Sequence, residues 1–243
     1  MSLPGQDKRY SSPVIEQVNA SGAVTYWRDS NNQSSCDAQG ISLADYIHAI
    51  FGFLRQARCR DVLMIGCGGG TLATMLHRAG VRVVMVDIDP LSFKVARDYF
   101  HMSSGIECHT ADGAAFLRRH AERYDAIVVD AFADGIIPKQ LLTRAFFASA
   151  KRRLRPRHSL LLLNVIVASD DDRMPDRIAR AMKSAWRNVR ILDSDGWLDR
   201  NAIVVAGAVG RLRRPRLVMP PMRGAGKIAK GLGELTFRAI RWP

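Results

Sequence analysis

Three aspartates carry the first chemical signal in this sequence. Asp87, Asp112 and Asp130 each stand at or just past the end of a short run that reads as a strand, at 81–86, 106–110 and 124–129. A fourth run, 62–65, is followed by Gly66, Gly68, Gly69 and Gly70. A glycine turn lets the backbone bend sharply and lets a ligand approach the main chain. An acid at the end of the next strand is placed to accept hydrogen bonds from ribose hydroxyls. The spacing from Gly66-Cys67-Gly68 to Asp87 suits a dinucleotide and other nucleosides alike, although Thr71 stands where a dinucleotide fingerprint has its third Gly or Ala. Repetition of the acid favours a cation. Several carboxylates in one crevice would repel a pyrophosphate and attract a sulfonium nucleoside or an ammonium group.

The elements that must hold these residues follow from periodicity. Residues 62–65 and 81–86 are too short and too apolar for anything but buried strands. Leu72, Met75, Leu76 and Ala79 recur at helical spacing between them, and Gly80 ends that helix. The result is a β-α-β unit with its glycine turn and Asp87 at the carboxyl ends of adjacent strands. Upstream, 14–18 and 23–27 read as two strands around Asn19-Ala20-Ser21-Gly22, and 28–40 as polar loop. Leu43, Tyr46, Ile47, Ile50 and Leu54 give a helix with Ser42 as its cap. Downstream, helices are expected at 91–100, 114–123, 141–154 and 175–186, with strands at 106–110, 124–129, 159–167, 189–192 and 202–206. This alternation specifies an α/β, Rossmann-like fold: a mostly parallel seven-stranded sheet with helices on both faces, a small N-terminal β-hairpin and a basic C-terminal arm.

Some acids have structural duties as well. Asp89, before Pro90, is a better helix cap than Asp87, while Asp112 suits both a cap for the helix at 114 and a ligand role. Asp134 reads as a turn residue as well as a substrate ligand, and 170–172 as a solvated helix start.

The composition is that of an ordinary globular protein, with 47% hydrophobic and 24% charged residues in a chain of 243. Three parts are expected: a short N-terminal β region at 10–40, a nucleoside-binding catalytic domain at 41–210, and a Pro/Arg/Gly-rich arm at 211–243. The net charge of +13 is concentrated in that arm, where nine Lys/Arg face one acid, a net of +8 that leaves +5 for residues 1–210. The four cysteines form no CxxC pair, the histidines show no ligand spacing, and no apolar run is long enough to cross a bilayer. A cytoplasmic protein with reduced thiols, no metal and no membrane span is therefore expected.

GCGGG followed by VDIDP, ADGAAFL and YDAIVVDAF resembles the core of class I AdoMet-dependent enzymes, and more narrowly the spermidine/spermine synthase (polyamine aminopropyltransferase) family. Asp29-Ser30-Asn31-Asn32-Gln33 with Tyr46 is similar to that family's D-G-x-x-Q and helix tyrosine, PKQLLTRAF to the segment after its catalytic acid, and NAIVVA to its late strand. The resemblance implies decarboxylated AdoMet or AdoMet as co-substrate. Gly66 and Gly68 would line its methionine-derived part, Asp87 would hold the ribose, Asp112 with Gly113 the adenine end, and Gln33 part of the nucleoside. It makes Asp130 the catalytic acid, with Tyr46 and Asp134 at a small-molecule amine acceptor, and a homodimer the expected assembly. The chain departs from the pattern at Gly69, where the family has an acid, and at Asp134, one residue later than the family's second acid. Ile47 and His48 replace the polar and acidic residues after Tyr46, and Lys139 adds a positive charge.

Three readings follow. The first is aminopropyl transfer from decarboxylated AdoMet to a di- or polyamine. The second is AdoMet-dependent methyl transfer on the same scaffold, since a glycine at 69 tolerates the carboxylate of AdoMet. The third is a non-catalytic nucleoside-binding module whose basic tail docks nucleic acid or another anionic partner.

Overall fold

The computed structural model describes residues 14–18, 21–28, 31–196 and 198–242. Asn19 and Ala20 of the expected turn, Asp29 and Ser30 of the D-G-x-x-Q-like motif, and residues 10–13 lie outside these.

The chain opens with a three-stranded antiparallel sheet in the order β1 (Val14–Val18), β2 (Ala23–Arg28), β3 (Asn31–Cys36). The hairpin expected from the sequence is thus only part of this region. The third strand lies in the polar stretch read as loop, because Asn-Asn-Gln-Ser-Ser carries no apolar alternation to betray it. Its Ser35 hydroxyl donates to Thr25 Oγ1 on β2 at 3.2 Å, a cross-strand contact between polar side chains.

Eight strands make the main sheet: β4 (Asp61–Ile65), β5 (Arg82–Asp87), β6 (Glu107–Thr110), β7 (Ala126–Val129), β8 (Leu160–Val167), β9 (Val189–Asp193), β10 (Arg200–Gly207) and β11 (Thr236–Arg238). Their order is β11-β9-β10-β8-β7-β4-β5-β6. From β6 to β8 neighbours pair in parallel, whereas β10 is antiparallel to both β8 and β9. One face is covered by α1 (Asp45–Gln56), α2 (Thr71–Arg78) and α3 (Pro90–Tyr99), the other by α4 (Gly113–Arg119), α5 (Arg144–Arg153) and α6 (Met174–Met182). Strands buried on both faces explain the near-continuous apolar runs, such as the four leucines that begin β8. The helix expected over 141–154 is divided. A 3₁₀ turn, Lys139–Leu142, comes first, and Thr143 then caps α5 by accepting from Phe146 N at 3.1 Å.

The count of eight rather than seven corrects the sequence reading, and the cause is the C-terminal arm. α7 (Ala225–Glu234) buries Ile228 and Leu232 in the core shared with α1. β11 then pairs antiparallel with β9, placing the Phe237 ring against Phe53 and beneath the Arg190 guanidinium. Arg238 donates to Asp176 and Asp193, both fully buried, at 2.9 Å. Folded this way, the arm's apolar stripe faces its own domain. Among the described residues no helix is long and apolar enough to cross a membrane.

Candidate active site

Because β6, β5, β4 and β7 run parallel, their carboxyl ends share one edge. The hydrogen-bond ladder continues a step past the strands: Ala111 N donates to Asp87 O, Gly66 N to Val86 O and Asp130 N to Ile65 O, each at 2.9 Å. Asp112, Asp87, Gly66 and Asp130 therefore stand in a row across four neighbouring strands. At roughly 4.8 Å per strand, Asp112 and Asp130 lie about 14 Å apart, the length scale of a nucleoside with its substituent.

Gly66 is needed for two independent reasons. Its φ is +98°, and a Cβ there would lie 2.1 Å from the Asp130 carbonyl oxygen. The turn beyond it is held from above by β3, where Ser34 Oγ accepts from Gly69 N at 2.8 Å and the Gln33 carbonyl overlies Gly68. A Cβ on Gly113 would fall 2.4 Å from Ile65 Cγ2, so the start of α4 approaches the end of β4 as closely as backbone permits.

Asp87 ties the glycine turn to the loop after β5. Its Oδ2 accepts from Cys67 N at 2.7 Å and its Oδ1 from Asp89 N at 2.9 Å. Burial raises its pKa, and these two amide bonds offset part of that rise. Asp89 is the cap of α3, accepting from Leu91 N at 2.9 Å. Asp112 caps α4 through Ala115 N at 2.8 Å, while its other oxygen accepts from Gln140 Nε2 at 3.0 Å. Its capping duty is thus met with one oxygen.

Asp130 is the most elaborately supported of the three. Oδ1 accepts from Asn164 Nδ2 on β8 at 2.8 Å, and Oδ2 accepts from the Tyr46 hydroxyl at the start of α1 at 3.3 Å. Asn164 Oδ1 in turn accepts from Asn201 Nδ2 on β10 at 3.0 Å. A line of amides thus runs across three strands into one carboxylate. Desolvation by burial pushes the Asp130 pKa up, against the bonds from Asn164 and Tyr46. The Tyr46 phenol is held well above its usual range by burial and by the neighbouring Asp130, so it stays protonated as a donor. A carboxylate of raised basicity, fixed in orientation, is equipped to take a proton from a nearby nucleophile.

Sequence reasoning missed Asn164 and Asn201. The signal for Asn164 was available: an amide inside the run Leu-Leu-Leu-Leu-Asn-Val-Ile-Val must have a partner. Asp134, in contrast, is exposed in left-handed backbone at the tip of the Ala133–Ile136 turn, as its turn reading expects. Ile47 and His48 are buried, the latter with Nε2 2.8 Å from Ser42 O, so these two departures belong to the core. Lys139 is exposed. A cavity of about 470 Å³ lies between Ser21, Ala23, Asp37 and the start of α7, and another of about 250 Å³ is lined by Phe132, Ile137, Leu142, Val165 and Met174.

No group of three metal-ligating side chains is found among the described residues. Residues 46–162 match the family described as Spermine/spermidine synthase domain. The chain is 32% identical over 168 residues to Polyamine aminopropyltransferase 2 of Pseudomonas aeruginosa, covering 58% of this chain and 48% of that one. It is 31% identical over 137 residues to an eEF1A lysine and N-terminal methyltransferase homolog of Drosophila pseudoobscura pseudoobscura, covering 51% of this chain and 20% of that one. The chain thus spans half or less of the length of these curated relatives. The crystal structure of a probable spermidine synthase from Corynebacterium glutamicum superposes with a TM-score of 0.74 at 17% identity, over 99% of this chain and 92% of that one, which shows a shared fold. The chain thus has the α/β fold of that structure, and its residues 46–162 are similar to the spermine/spermidine synthase domain.

Proposed function

We propose that the protein transfers an aminopropyl group from decarboxylated AdoMet to a di- or polyamine. The observation that carries this reading is the Tyr46–Asp130–Asn164 constellation beside the glycine turn. In such a transfer the lone pair of a neutral amine forms a C–N bond as the C–S bond to the sulfonium breaks, and the sulfur leaves with that electron pair as methylthioadenosine. The attacking nitrogen must shed one proton, and Asp130 is the group assigned to receive it and pass it to solvent. Tyr46 and Asn164 act through Asp130, fixing its orientation. Asp87 is assigned to the ribose, Asp112 and Gly113 to the adenine end, Gln33 to the nucleoside, and Gly66 and Gly68 to the chain that bears the sulfur. Asp134 remains assigned to the acceptor side. Holding the two substrates in line supplies much of the rate in a displacement of this kind.

One observation favours methyl transfer as a second reading. A Cβ on Gly69 would meet the buried Phe100 ring at 2.7 Å and Ser34 Cβ at 2.8 Å, so no acid stands there to hold the aminopropyl ammonium. Incubation with decarboxylated AdoMet and putrescine separates the two. Release of methylthioadenosine supports aminopropyl transfer. No release, together with tighter binding of AdoMet than of its decarboxylated form, supports methyl transfer.

A further inference from the structure

The arm carries nine Lys/Arg, and the fold divides them into two groups. Arg238 and Arg241 pair with Asp176, Asp193 and Asp195 of the domain. The other seven are exposed. Lys230 has only the loose pair with Glu234, and the remaining six make no ion pair among the described residues.

The first four of these six are held in a fixed array. Arg211, Arg213, Arg214 and Arg216 flank Leu212 and Pro215, which are buried. Leu212 has φ −68° and ψ 132°, the Pro215 ring fixes its own φ, and the residue before a proline is kept extended. Buried positions three residues apart on such polyproline-like backbone send the intervening side chains outward. The backbone is also clamped to the end of α1. Arg213 N donates to Gln56 Oε1 at 2.8 Å, and Gln56 Nε2 donates back to Arg213 O at 3.1 Å. Arg214 Nη1 donates to Gly233 O at 2.9 Å, which joins this stretch to α7. Exposed Arg55 and Arg58 lie within two residues of Gln56 and add to the same cationic surface.

Little negative charge relieves it. Glu234 is the only acid of the arm. Asp37, near Met222, is buried and already accepts from the amides of Gln39, Ile41 and Met222. Arg190, whose Nη1 donates to Leu212 O at 3.1 Å, has its pKa lowered by burial and then by the nearby Arg213.

Spacing and residue type narrow the partner. At about 3.1 Å per residue, Arg211 to Arg216 spans roughly 15 Å. One strand of a duplex presents about four phosphates over that length. Arginine forks suit phosphate, which they bind through two parallel hydrogen bonds. A bilayer fits less well, because the arm's apolar stripe is spent on the core: Ile228 and Leu232 are buried there, and between Arg211 and Glu234 only Val218 and Met222 are large apolar side chains left exposed.

We infer that this face of the arm is a nucleic-acid interface that grips the phosphate backbone without reading base sequence. It uses none of the residues assigned to the two substrates, so it stands whichever group the site transfers.

The test is fluorescence anisotropy of the full chain with two labelled 24-base-pair DNA duplexes of unrelated sequence. Both are expected to bind with affinities within threefold of each other. The slope of log Kd against log salt is expected near 5, for about six phosphates. Arg211→Gln/Arg213→Gln/Arg216→Gln should weaken binding at least tenfold at 50 mM salt and lower that slope by roughly 3. Arg223→Gln/Lys227→Gln, a second variant that leaves the clamped stretch intact, should lower it by roughly 2. Arg118→Gln/Arg119→Gln/Arg123→Gln removes three exposed charges at and just after α4, on the opposite face of the sheet, and is expected to bind within threefold of wild type. An equal loss in this last variant would make net charge responsible and overturn the assignment to the arm. So would a salt-independent affinity, or capture by vesicles containing 30% phosphatidylserine with no duplex bound at 50 mM salt.

Discussion

The side-chain amide of Asn164 donates to Oδ1 of Asp130 at 2.8 Å, from the neighbouring parallel strand, and is itself held by Asn201. A bond to the ionised form of a carboxylate lowers its pKa, so Asn164 opposes the rise that burial imposes. If Asp130 must be ionised to receive a proton, the acid limb of the kcat/KM profile reports that balance. Asn164→Ala and Tyr46→Phe each remove a donor, and each is expected to move the acid limb to higher pH, Asn164→Ala the further. Rates on the alkaline plateau should fall less than rates on the acid side. Unmoved acid limbs in both variants would detach Asp130 from proton transfer.

Asp130 also leaves a mark on stability. Its folded pKa is raised above the unfolded value by desolvation. The folded state therefore binds the proton more tightly, and stability is fully present below the unfolded carboxyl pKa and lost as pH rises toward the folded one. Asp130→Asn removes that loss. Thermal melts should show the variant more stable than wild type at neutral pH, with the gap closing in acid, while turnover drops by roughly 10²- to 10⁴-fold. A variant less stable than wild type at neutral pH would mean that the bonds from Asn164 and Tyr46 outweigh desolvation.

Much of this edge is legible in the sequence because parallel strands buried on both faces write themselves as apolar runs. The residue that ends such a run, such as Asp87 after Val86, or comes just after it, such as Asp130 after Val129, must then sit at the carboxyl edge. What was illegible depends on contacts distant in sequence. β3 is polar except for the buried Cys36 at its end, and it is a strand because β2 pairs with it and Ser34 meets the glycine turn. β11 is three residues long, and its place is set by Arg238 finding two buried acids rather than by local propensity. Asn164 was readable as an anomaly, but its partner lies 34 residues away.

Gly69 offers a direct test of why the chain departs from the pattern of the family it resembles. Phe100 is fully buried and Ser34 Oγ is engaged by the Gly69 amide, so neither yields easily to a new side chain. Gly69→Asp is expected to cost about 1–3 kcal/mol through overpacking, a fall in Tm of several degrees for a chain of this size. Restoring the acid should not sharpen selection of decarboxylated AdoMet over AdoMet. A stable variant with improved selection, measured by calorimetric titration of both nucleosides, would show that the space opens on binding.

The arm carries ion pairs of two very different kinds, one to the domain beneath it and one within its own helix. Arg238 joins Asp176 and Asp193 in the interior, and burial of those acids is outweighed by its hydrogen bonds and, at Asp193, by those of Arg200, which hold both pKa values low. Lys230 and Glu234 make only a loose surface pair at 3.9 Å on α7. Removing one partner of a buried pair strands the other charge, so Arg238→Met is expected to destabilise by about 3–5 kcal/mol, roughly 10 °C in Tm. Lys230→Met should leave Tm within error. Depressed acids contribute stability that is present at neutral pH and lost as pH falls through their folded values. The wild type should therefore lose stability in acid more steeply than Arg238→Met does. Equal Tm values for the two variants would place the arm's attachment in the apolar contacts of Ile228, Leu232 and Phe237 instead of in this charge network.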